Sequence, residues 1–243
     1  MDSSTYAVEA GIEATHWWFM GRRNLFAREL SGAGVPSTAA ALDIGTSTGA
    51  NLRLLRQLGF TQVEGLDNSE EAIQFCVEKG LGPVRLGDVC AMPFDDASFD
   101  LVLATDIIEH VPDDEQALRE IARILRTGGR LLLTVPSFPS LWGLQDRVAH
   151  HYRRYRRAPV IDRLCAAGLR PEHVYHFNYL LFGPIWLARR LIDLLHINLA
   201  SEAQVNSQWL NYLLRWIFAL DIVTAPRLRP PFGVSILVMA VKA

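Results

Sequence analysis

The pattern of apolar and polar positions along the chain predicts an α/β protein. Short apolar runs alternate with longer stretches in which apolar residues recur at helical spacing. Because strands and helices alternate, the sheet is expected to be largely parallel, with helices on both faces. The strands are expected near residues 40–44, 62–66, 84–87, 101–105 and 130–135, and the helices near 50–58, 69–79 and 114–125.

The C-terminal half adds two strands and an insertion. A helix at 159–167, a strand around 172–179 and an apolar terminal strand at 234–241 bring the predicted strands to seven. Between the last two strands, an excess of about 50 residues contains two apolar helices, near 184–195 and 209–218. These helices pack into the core, cover an apolar substrate as a lid, or contact a membrane or second subunit. The residues that interrupt them and argue against a bilayer span are Arg189, Arg190, Asp193 and Arg215.

Residues 41–49 read Ala-Leu-Asp-Ile-Gly-Thr-Ser-Thr-Gly. They predict a strand that ends in a tight turn just before a helix. Gly45 and Gly49 suit a tight turn through which the backbone approaches a ligand, and the next helix presents free N–H groups at its start. The spacing differs from the G-x-G-x-x-G of pyrophosphate sites. Asp67 ends the second apolar run, where such folds place a carboxylate that binds the two hydroxyl groups of a ribose.

Five motifs between about residues 40 and 140 resemble those of class I S-adenosylmethionine-dependent methyltransferases, in the small-molecule branch of type 11/12. In order, they are Asp43-Ile44-Gly45-x-x-x-Gly49, Gly65-Leu66-Asp67, Gly87-Asp88-Val89, Phe99–Val102 with Asp106–His110, and Leu125–Leu131. Two residues of the turn depart from the family pattern: Thr46, and Ser47 in place of a middle glycine. A negative φ would let Ser47 fit there.

The resemblance implies a fold and a cofactor. The fold is a doubly wound, seven-stranded, mostly parallel sheet of the Rossmann-like methyltransferase type, and the cofactor is S-adenosyl-L-methionine. An N-terminal segment, 1–36, would act as a helical lid on a methyltransferase domain at 37–243, with the helical insertion at about 183–232.

The resemblance also assigns roles to residues of the cofactor site. The turn with Thr46 and Ser47 would pass under the methionine part, and Asp67 with Asn68 would bind the ribose. Asp88 and the N–H of Val89 would meet the adenine. Asp43 would orient the turn or the amino group, and Asp106 would line the same site.

Aromatic residues are concentrated near the N-terminus. The segment from Val8 to Leu30 is predicted to be helical and contains His16, Trp17, Trp18 and Phe19, followed by Arg22 and Arg23. By resemblance, Trp18, Phe19 or Arg22 would close over the cofactor or the substrate. A packed helix without ligand contact is the alternative.

Two segments carry candidate catalytic groups. His110 follows a predicted strand at its carboxyl end, where it would act as a general base, shape the pocket or lie on the surface. Residues 150–157, His-His-Tyr-Arg-Arg-Tyr-Arg-Arg, form a strongly basic run that resembles a segment of some relatives. His151 and Tyr152 would then act on the substrate proton, while Arg153 or Arg154 would hold an anionic oxygen. A solvated basic turn is the alternative.

Composition narrows the function classes. The chain has 243 residues, 50% of them hydrophobic, and a net charge of −2, which gives no general attraction to nucleic acid. Its three cysteines lie far apart, and neither a disulfide framework nor a metal site is predicted from them. The N-terminus lacks the layout of a signal peptide. We therefore expect a cytoplasmic protein, with peripheral membrane contact and a homodimer left open.

The expected reaction is methyl transfer from S-adenosylmethionine to a small, largely apolar acceptor, such as a secondary metabolite, a quinone or a lipid-like molecule. Two alternatives stay open. A domain of this fold could bind the cofactor while guiding another reaction, such as a cyclisation. An NAD-dependent oxidoreductase is disfavoured because the third glycine and a Tyr-x-x-x-Lys pair are missing.

Overall fold

The computed structural model describes residues 10–195 and 207–243. Its strands are β1 (Ala40–Ile44), β2 (Gln62–Asp67), β3 (Val84–Leu86), β4 (Phe99–Thr105), β5 (Leu125–Pro136), β6 (Leu169–Phe177) and β7 (Ser235–Lys242). They form one sheet in the order β3-β2-β1-β4-β5-β7-β6. Only β7 runs antiparallel to its neighbours among these described strands. The predicted seven-stranded, mostly parallel sheet is confirmed.

Eight helices flank the sheet in the described part of the chain. They are α1 (Trp17–Gly32), α2 (Ala50–Gln57), α3 (Glu70–Glu78), α4 (Asp114–Ile124), α5 (Leu144–Val148), α6 (Arg157–Ala166), α7 (Phe182–Leu194) and α8 (Gln208–Leu228). Side-chain caps fix two of the starts: Ser69 accepts the N–H of Ala72, and Asp113 accepts that of Gln116. The α/β alternation along the chain therefore follows the predicted order.

Each face of the sheet carries its own apolar core. Alternate residues of β4 point to opposite faces, so Val102 and Ala104 belong to one core while Leu101 and Leu103 belong to the other. The first core is completed by α4 and α6, and the second by α1, α2 and α8. A strand buried on both sides reads as a continuous apolar run, which is why the sequence predicted it.

The predicted N-terminal helix is interrupted. Residues 10–12 are helical and residues 13–15 form a turn, and α1 begins at Trp17, where the His16 ring nitrogen accepts the N–H of Trp18 as a cap. The predicted start at Val8 lies outside the described residues. The Trp18 ring stacks on Phe218 of α8, with centroids 5.5 Å apart. The aromatic cluster is therefore largely packed between α1 and α8.

The insertion leaves the sheet at the edge where the parallel strands end. Strand β6 is parallel to β1 and ends at this edge, and β7 begins there. Helix α8 extends to Leu228, ten residues beyond its predicted end. One side of it buries Phe218 and Ile222, while Trp209 and Trp216 on the other side are 70% and 62% exposed. The packed interpretation thus accounts for one face of α8.

A bilayer span was not expected from the interrupted apolar pattern of the insertion. Within residues 10–195 and 207–243, we find no helix with both the length and the apolar character that crossing a membrane requires.

Candidate functional site

The turn after β1 has a backbone that few side chains tolerate. Gly45 and Gly49 have φ values of +72° and +83°. A Cβ on Gly45 would lie 1.9 Å from Cδ1 of Ile107, so the loop after β4 packs directly on this turn. Ser47 does not meet the condition of a negative φ under which a serine would fit easily, since its φ is +46°. This position therefore favours glycine for the same reason as its neighbours.

Asp67 holds this turn at the end of β2. One of its carboxylate oxygens accepts the Ser47 N–H at 2.9 Å, and the other accepts the Ser69 N–H at 3.0 Å. Burial raises the pKa of Asp67, and these hydrogen bonds oppose the rise. Each carboxylate oxygen has capacity for a further bond. The ribose role of Asp67 stays a prediction that this placement at the turn supports.

Asp43 is the most deeply buried carboxyl of the turn. Its Oδ1 accepts a hydrogen bond from the Asn51 amide at 3.0 Å, and the same amide lies 3.0 Å from the Thr105 hydroxyl. Its Oδ2 is buried without a hydrogen-bond partner. Burial raises the pKa of Asp43 to about 8. A buried oxygen without a partner fits a ligand with a cationic or donor group, such as the amino group of S-adenosylmethionine.

The predicted adenine residues lie beyond β3 at the same edge of the sheet. Asp88 is exposed, and its Oδ1 accepts the N–H of Cys90 at 2.8 Å, as turn-forming aspartates do. Val89 is buried in the core, and Asn68 is exposed beside Asp67. The contacts of these residues with adenine and ribose stay predictions.

Helix α1 is tied to the end of β4 by an ion pair. Arg22 contacts the Asp106 carboxylate at 2.8 Å, and its guanidinium lies over the rings of Trp18 and Phe26. Asp106 has a φ of +57° and accepts a hydrogen bond from the Thr134 hydroxyl at 3.1 Å. Arg22 therefore reaches the ligand edge, whereas Trp18 packs behind it, and closure of α1 over a ligand stays a prediction.

Glu13 fastens the segment before α1 to the cofactor turn. Its buried carboxylate accepts a hydrogen bond from Thr48 and lies 3.1 Å from the Lys79 ammonium. Lys79 also donates to the Thr48 carbonyl at 2.9 Å. Sequence reasoning missed this residue, because its partners lie 35 and 66 positions further along the chain.

Glu109, His110 and His151 form a cluster at the end of β4. The two imidazole rings meet edge to face, with centroids 4.6 Å apart. Burial, with the neighbouring His151, lowers the pKa of His110 to about 4, so its ring is neutral at pH 7. Glu109 is fully buried, neither of its carboxylate oxygens has a hydrogen-bond partner, and burial raises its pKa well above the usual value.

Asp146 of α5 orients His151. One of its oxygens lies 2.9 Å from Nδ1 of His151 and 2.7 Å from Nε of Arg154, and the other accepts the Gly143 N–H. Burial raises the pKa of Asp146, but hydrogen bonds from His151 and Arg154 outweigh this effect and lower the pKa to about 2. The ionised carboxylate only accepts, so Nδ1 carries the proton and Nε2 of a neutral His151 keeps a lone pair. Sequence reasoning missed Asp146, although it lies five residues before His151.

The basic segment lies against the ligand edge of the sheet. The backbone N–H of Tyr152 donates to the Glu109 carbonyl at 2.8 Å, while the Tyr152 side chain is exposed. Arg154 is buried against Asp146, and Arg153 pairs with Asp114 at 2.9 Å. Both guanidinium groups are engaged by protein carboxylates. Their placement favours a positioning role over the predicted contact with a substrate anion.

A separate depression lies at the opposite, amino-terminal edge of the sheet, beside Ala40, Gln62 and Phe99. It contains none of the predicted site residues. Because ligands of open α/β sheets bind at the carboxyl ends of the strands, we place the functional site at the other edge, where the cofactor turn and the histidine pair meet.

Comparisons with known proteins agree with this geometry. The family described as "Methyltransferase domain" matches residues 42–133. A protein of Encephalitozoon cuniculi that is named as a methyltransferase is 31% identical over 175 residues, which cover 68% of this chain and 73% of that protein. The demethylmenaquinone methyltransferase of Staphylococcus aureus is 35% identical over 145 residues, covering 57% of this chain and 59% of the relative.

Two further matches add detail. The 27-O-demethylrifamycin SV methyltransferase of Amycolatopsis mediterranei is 30% identical, covering 54% of each chain. This chain thus spans little more than half the length of the rifamycin and menaquinone relatives. A solved methyltransferase in complex with the Haloferax volcanii Trm112 activator has a TM-score of 0.66 at 22% identity, covering 98% of this chain and 94% of that one, and it shows the fold alone.

The matched residues 42–133 contain the cofactor turn, Asp67, Asp88 and the loop that carries Asp106 and His110. The sheet order, the strained turn and the unpartnered oxygen of Asp43 fit the same assignment. This chain therefore belongs to the class I S-adenosylmethionine-dependent methyltransferases, with S-adenosyl-L-methionine as its cofactor.

Proposed function

We propose that this chain transfers the methyl group of S-adenosylmethionine to a small, largely apolar acceptor, of the quinone, secondary-metabolite or lipid-like class. The observation that carries the proposal is the contact between the cofactor turn and the loop that holds His110, whose ring meets that of His151. Ile107 of this loop packs on Gly45, and His110 follows three residues later. A cofactor on the turn and an acceptor at His151 would therefore be neighbours.

The cofactor supplies an electrophilic methyl group with a good leaving group, so the protein mainly has to position the acceptor and exclude water. We assign the turn of Gly45–Gly49, with Asp43 and Asp67, to cofactor binding. Arg22 of α1 closes this edge by pairing with Asp106.

His151 is the proposed proton acceptor. Asp146 holds the proton on Nδ1, which leaves Nε2 free to accept a proton from an acceptor hydroxyl. His110, whose ring is neutral at pH 7, shapes the pocket beside it.

The apolar character of the acceptor is supported by the insertion and by the relatives. The outer side of α8 exposes Trp209, Tyr212 and Trp216, and α7 exposes Leu187 and Leu191. The two relatives named for demethylmenaquinone and a rifamycin precursor act, by their names, on organic molecules of this kind. Peripheral membrane contact and homodimer formation through the exposed side of α8 stay predictions.

The cofactor assignment is tested by calorimetric titration of the whole chain with S-adenosylhomocysteine. Replacing Asp67 with Ala should weaken binding by about 2 kcal/mol or more, because two charge-assisted hydrogen bonds to the ribose are lost. Asp88→Ala tests the adenine assignment in the same titration. Unchanged affinity in a folded Asp67→Ala protein would refute the ribose assignment.

The reaction itself is tested with S-adenosylmethionine and a panel of reduced quinones and phenolic metabolites. We expect one S-adenosylhomocysteine for each methylated product. His151→Ala should lower the rate by about 100-fold or more, in the range of general bases, while His173→Ala, at an exposed site on β6, should not. Product formed without S-adenosylhomocysteine would instead favour a non-methylating reaction, such as a cyclisation.

A further inference from the structure

The cluster at the end of β4 combines three groups that bind metal ions. One ring nitrogen each of His110 and His151 and a carboxylate oxygen of Glu109 all lie within 4.8 Å of one another. Within residues 10–195 and 207–243, no other set of three such groups comes this close. Two imidazoles and one carboxylate are a ligand set that zinc sites with an open position use.

The buried Glu109 side chain is a second observation that points to a ligand at this cluster. It is 0% exposed, and neither of its oxygens accepts a hydrogen bond. A buried carboxylate without a partner is costly. The two arginines whose charges act on Glu109, Arg22 and Arg154, pair with other carboxylates, those of Asp106 and Asp146. A divalent ion between Glu109 and the two rings would supply the partner that this carboxylate lacks.

The surroundings of His151 resemble the support that metal-binding imidazoles require. Such rings usually donate their second N–H to a carboxylate or a backbone carbonyl, which fixes the tautomer. Asp146 does this for His151 at 2.9 Å. The His151 ring therefore has one nitrogen held by the protein and a second nitrogen available as a ligand.

The separations between the three ligand atoms need at most a small adjustment to match those in a zinc site. Zinc bonds of about 2.1 Å in tetrahedral geometry separate the ligand atoms by about 3.4 Å. Atoms that lie within 4.8 Å of one another would have to approach by at most about 1.4 Å to reach this separation.

We propose that Glu109, His110 and His151 form a binding site for one divalent transition-metal ion, with Zn²⁺ as the best match. Metal binding itself does not rest on the proposed methyl transfer. It would, however, use the lone pair of His151 that the proposed reaction uses. Zinc occupancy and proton transfer to His151 would then exclude each other.

The test measures Zn²⁺ binding by competition with a chromophoric chelator, on the full chain. Cys90 and Cys165 are accessible thiols that would also bind zinc, so both are replaced by Ser in every protein compared. Glu109→Gln and His151→Gln remove one ligand each at nearly constant shape. His173→Gln makes the same change at an exposed histidine outside the cluster.

We expect one Zn²⁺ per chain, with affinity reduced about 100-fold or more in both cluster variants and unchanged in His173→Gln. A chain without a saturable site, or a site that survives in either folded cluster variant, would overturn the proposal. If circular dichroism shows that a cluster variant does not fold, the visible spectrum of Co²⁺ bound to the Ser-substituted background protein decides. Bands of four- or five-coordinate cobalt support the site, and the weak spectrum of the hydrated ion refutes it.

Discussion

Replacing Gly45 with Ala should strain the cofactor turn in two separable ways. The residue has a φ of +72°, a region that side chains with a Cβ rarely adopt. The added Cβ would also lie 1.9 Å from Cδ1 of Ile107, whereas ordinary contacts are 3.4–4 Å. Because Cδ1 is the end of a flexible side chain, part of this overlap is relieved by rotation of Ile107.

The magnitudes follow from these two terms. A left-handed backbone costs a residue with a Cβ about 1–2 kcal/mol, and overpacking costs about 1–3 kcal/mol. Gly45→Ala should therefore lower the free energy of unfolding by about 2–5 kcal/mol. Gly128 is the matched control, since its φ is +78° and a Cβ added there would meet no atom within 4 Å. Gly128→Ala should thus show only the backbone term, about 1–2 kcal/mol.

A double-mutant cycle isolates the steric term. Ile107→Val removes Cδ1, the atom that the added Cβ would overlap. The double variant Gly45→Ala with Ile107→Val should therefore regain most of the overpacking cost, which gives a coupling free energy of about 1–3 kcal/mol between the two positions. Urea denaturation of the four proteins measures this coupling, and titration with S-adenosylhomocysteine shows whether affinity follows it. The reasoning fails if Gly45→Ala costs no more than Gly128→Ala, or if the two changes are additive.

Two further predictions concern pH and packing. Burial raises the pKa of Asp43 to about 8 in the folded protein. The contribution of this carboxyl to the free energy of unfolding is therefore fully present below pH ~4 and is lost as the pH rises towards 8. The loss is at most about 1.4 kcal/mol per pH unit. Asp43→Asn should flatten this slope in urea titrations between pH 5 and 8, and an unchanged slope would contradict the assignment. Phe218→Ala should cost about 3–5 kcal/mol, since this ring is fully buried against Trp18. Trp216→Ala, on the exposed side of the same helix, should cost far less, and similar melting temperatures for the two variants would argue against this packing.

The strands were predictable because burial on both faces produces unbroken apolar runs in the sequence. Residues 101–105 illustrate this, since each is buried in β4. The insertion was also visible, as an excess of apolar helix between two strands. The start of α1 could not be predicted, because it depends on one hydrogen bond from the Trp18 N–H to the His16 ring. The sequence pattern around this position is helical throughout.

Site residues were easiest to nominate where their role depends on the local backbone. Gly45, Gly49 and Asp67 were nominated because a turn at the end of a strand needs those residue types at that spacing, and their contacts with the cofactor stay predictions. Asp146 was missed because its importance comes from partners brought together by folding. Arg154 looked equivalent to the other arginines of its run, and only the fold shows that its guanidinium is buried against Asp146.

The pairing of α1 with α8 has a consequence for synthesis of the chain. The N–H of Trp17 bonds to Asn211, 194 residues later, and Trp18 stacks on Phe218. A nascent chain therefore exposes these two tryptophans until the segment that contains Asn211 and Phe218 has been translated. Contacts of such sequence separation slow folding and leave apolar surface uncovered meanwhile. The contact between α1 and α8 at the cofactor edge can form only after residue 218 has left the ribosome.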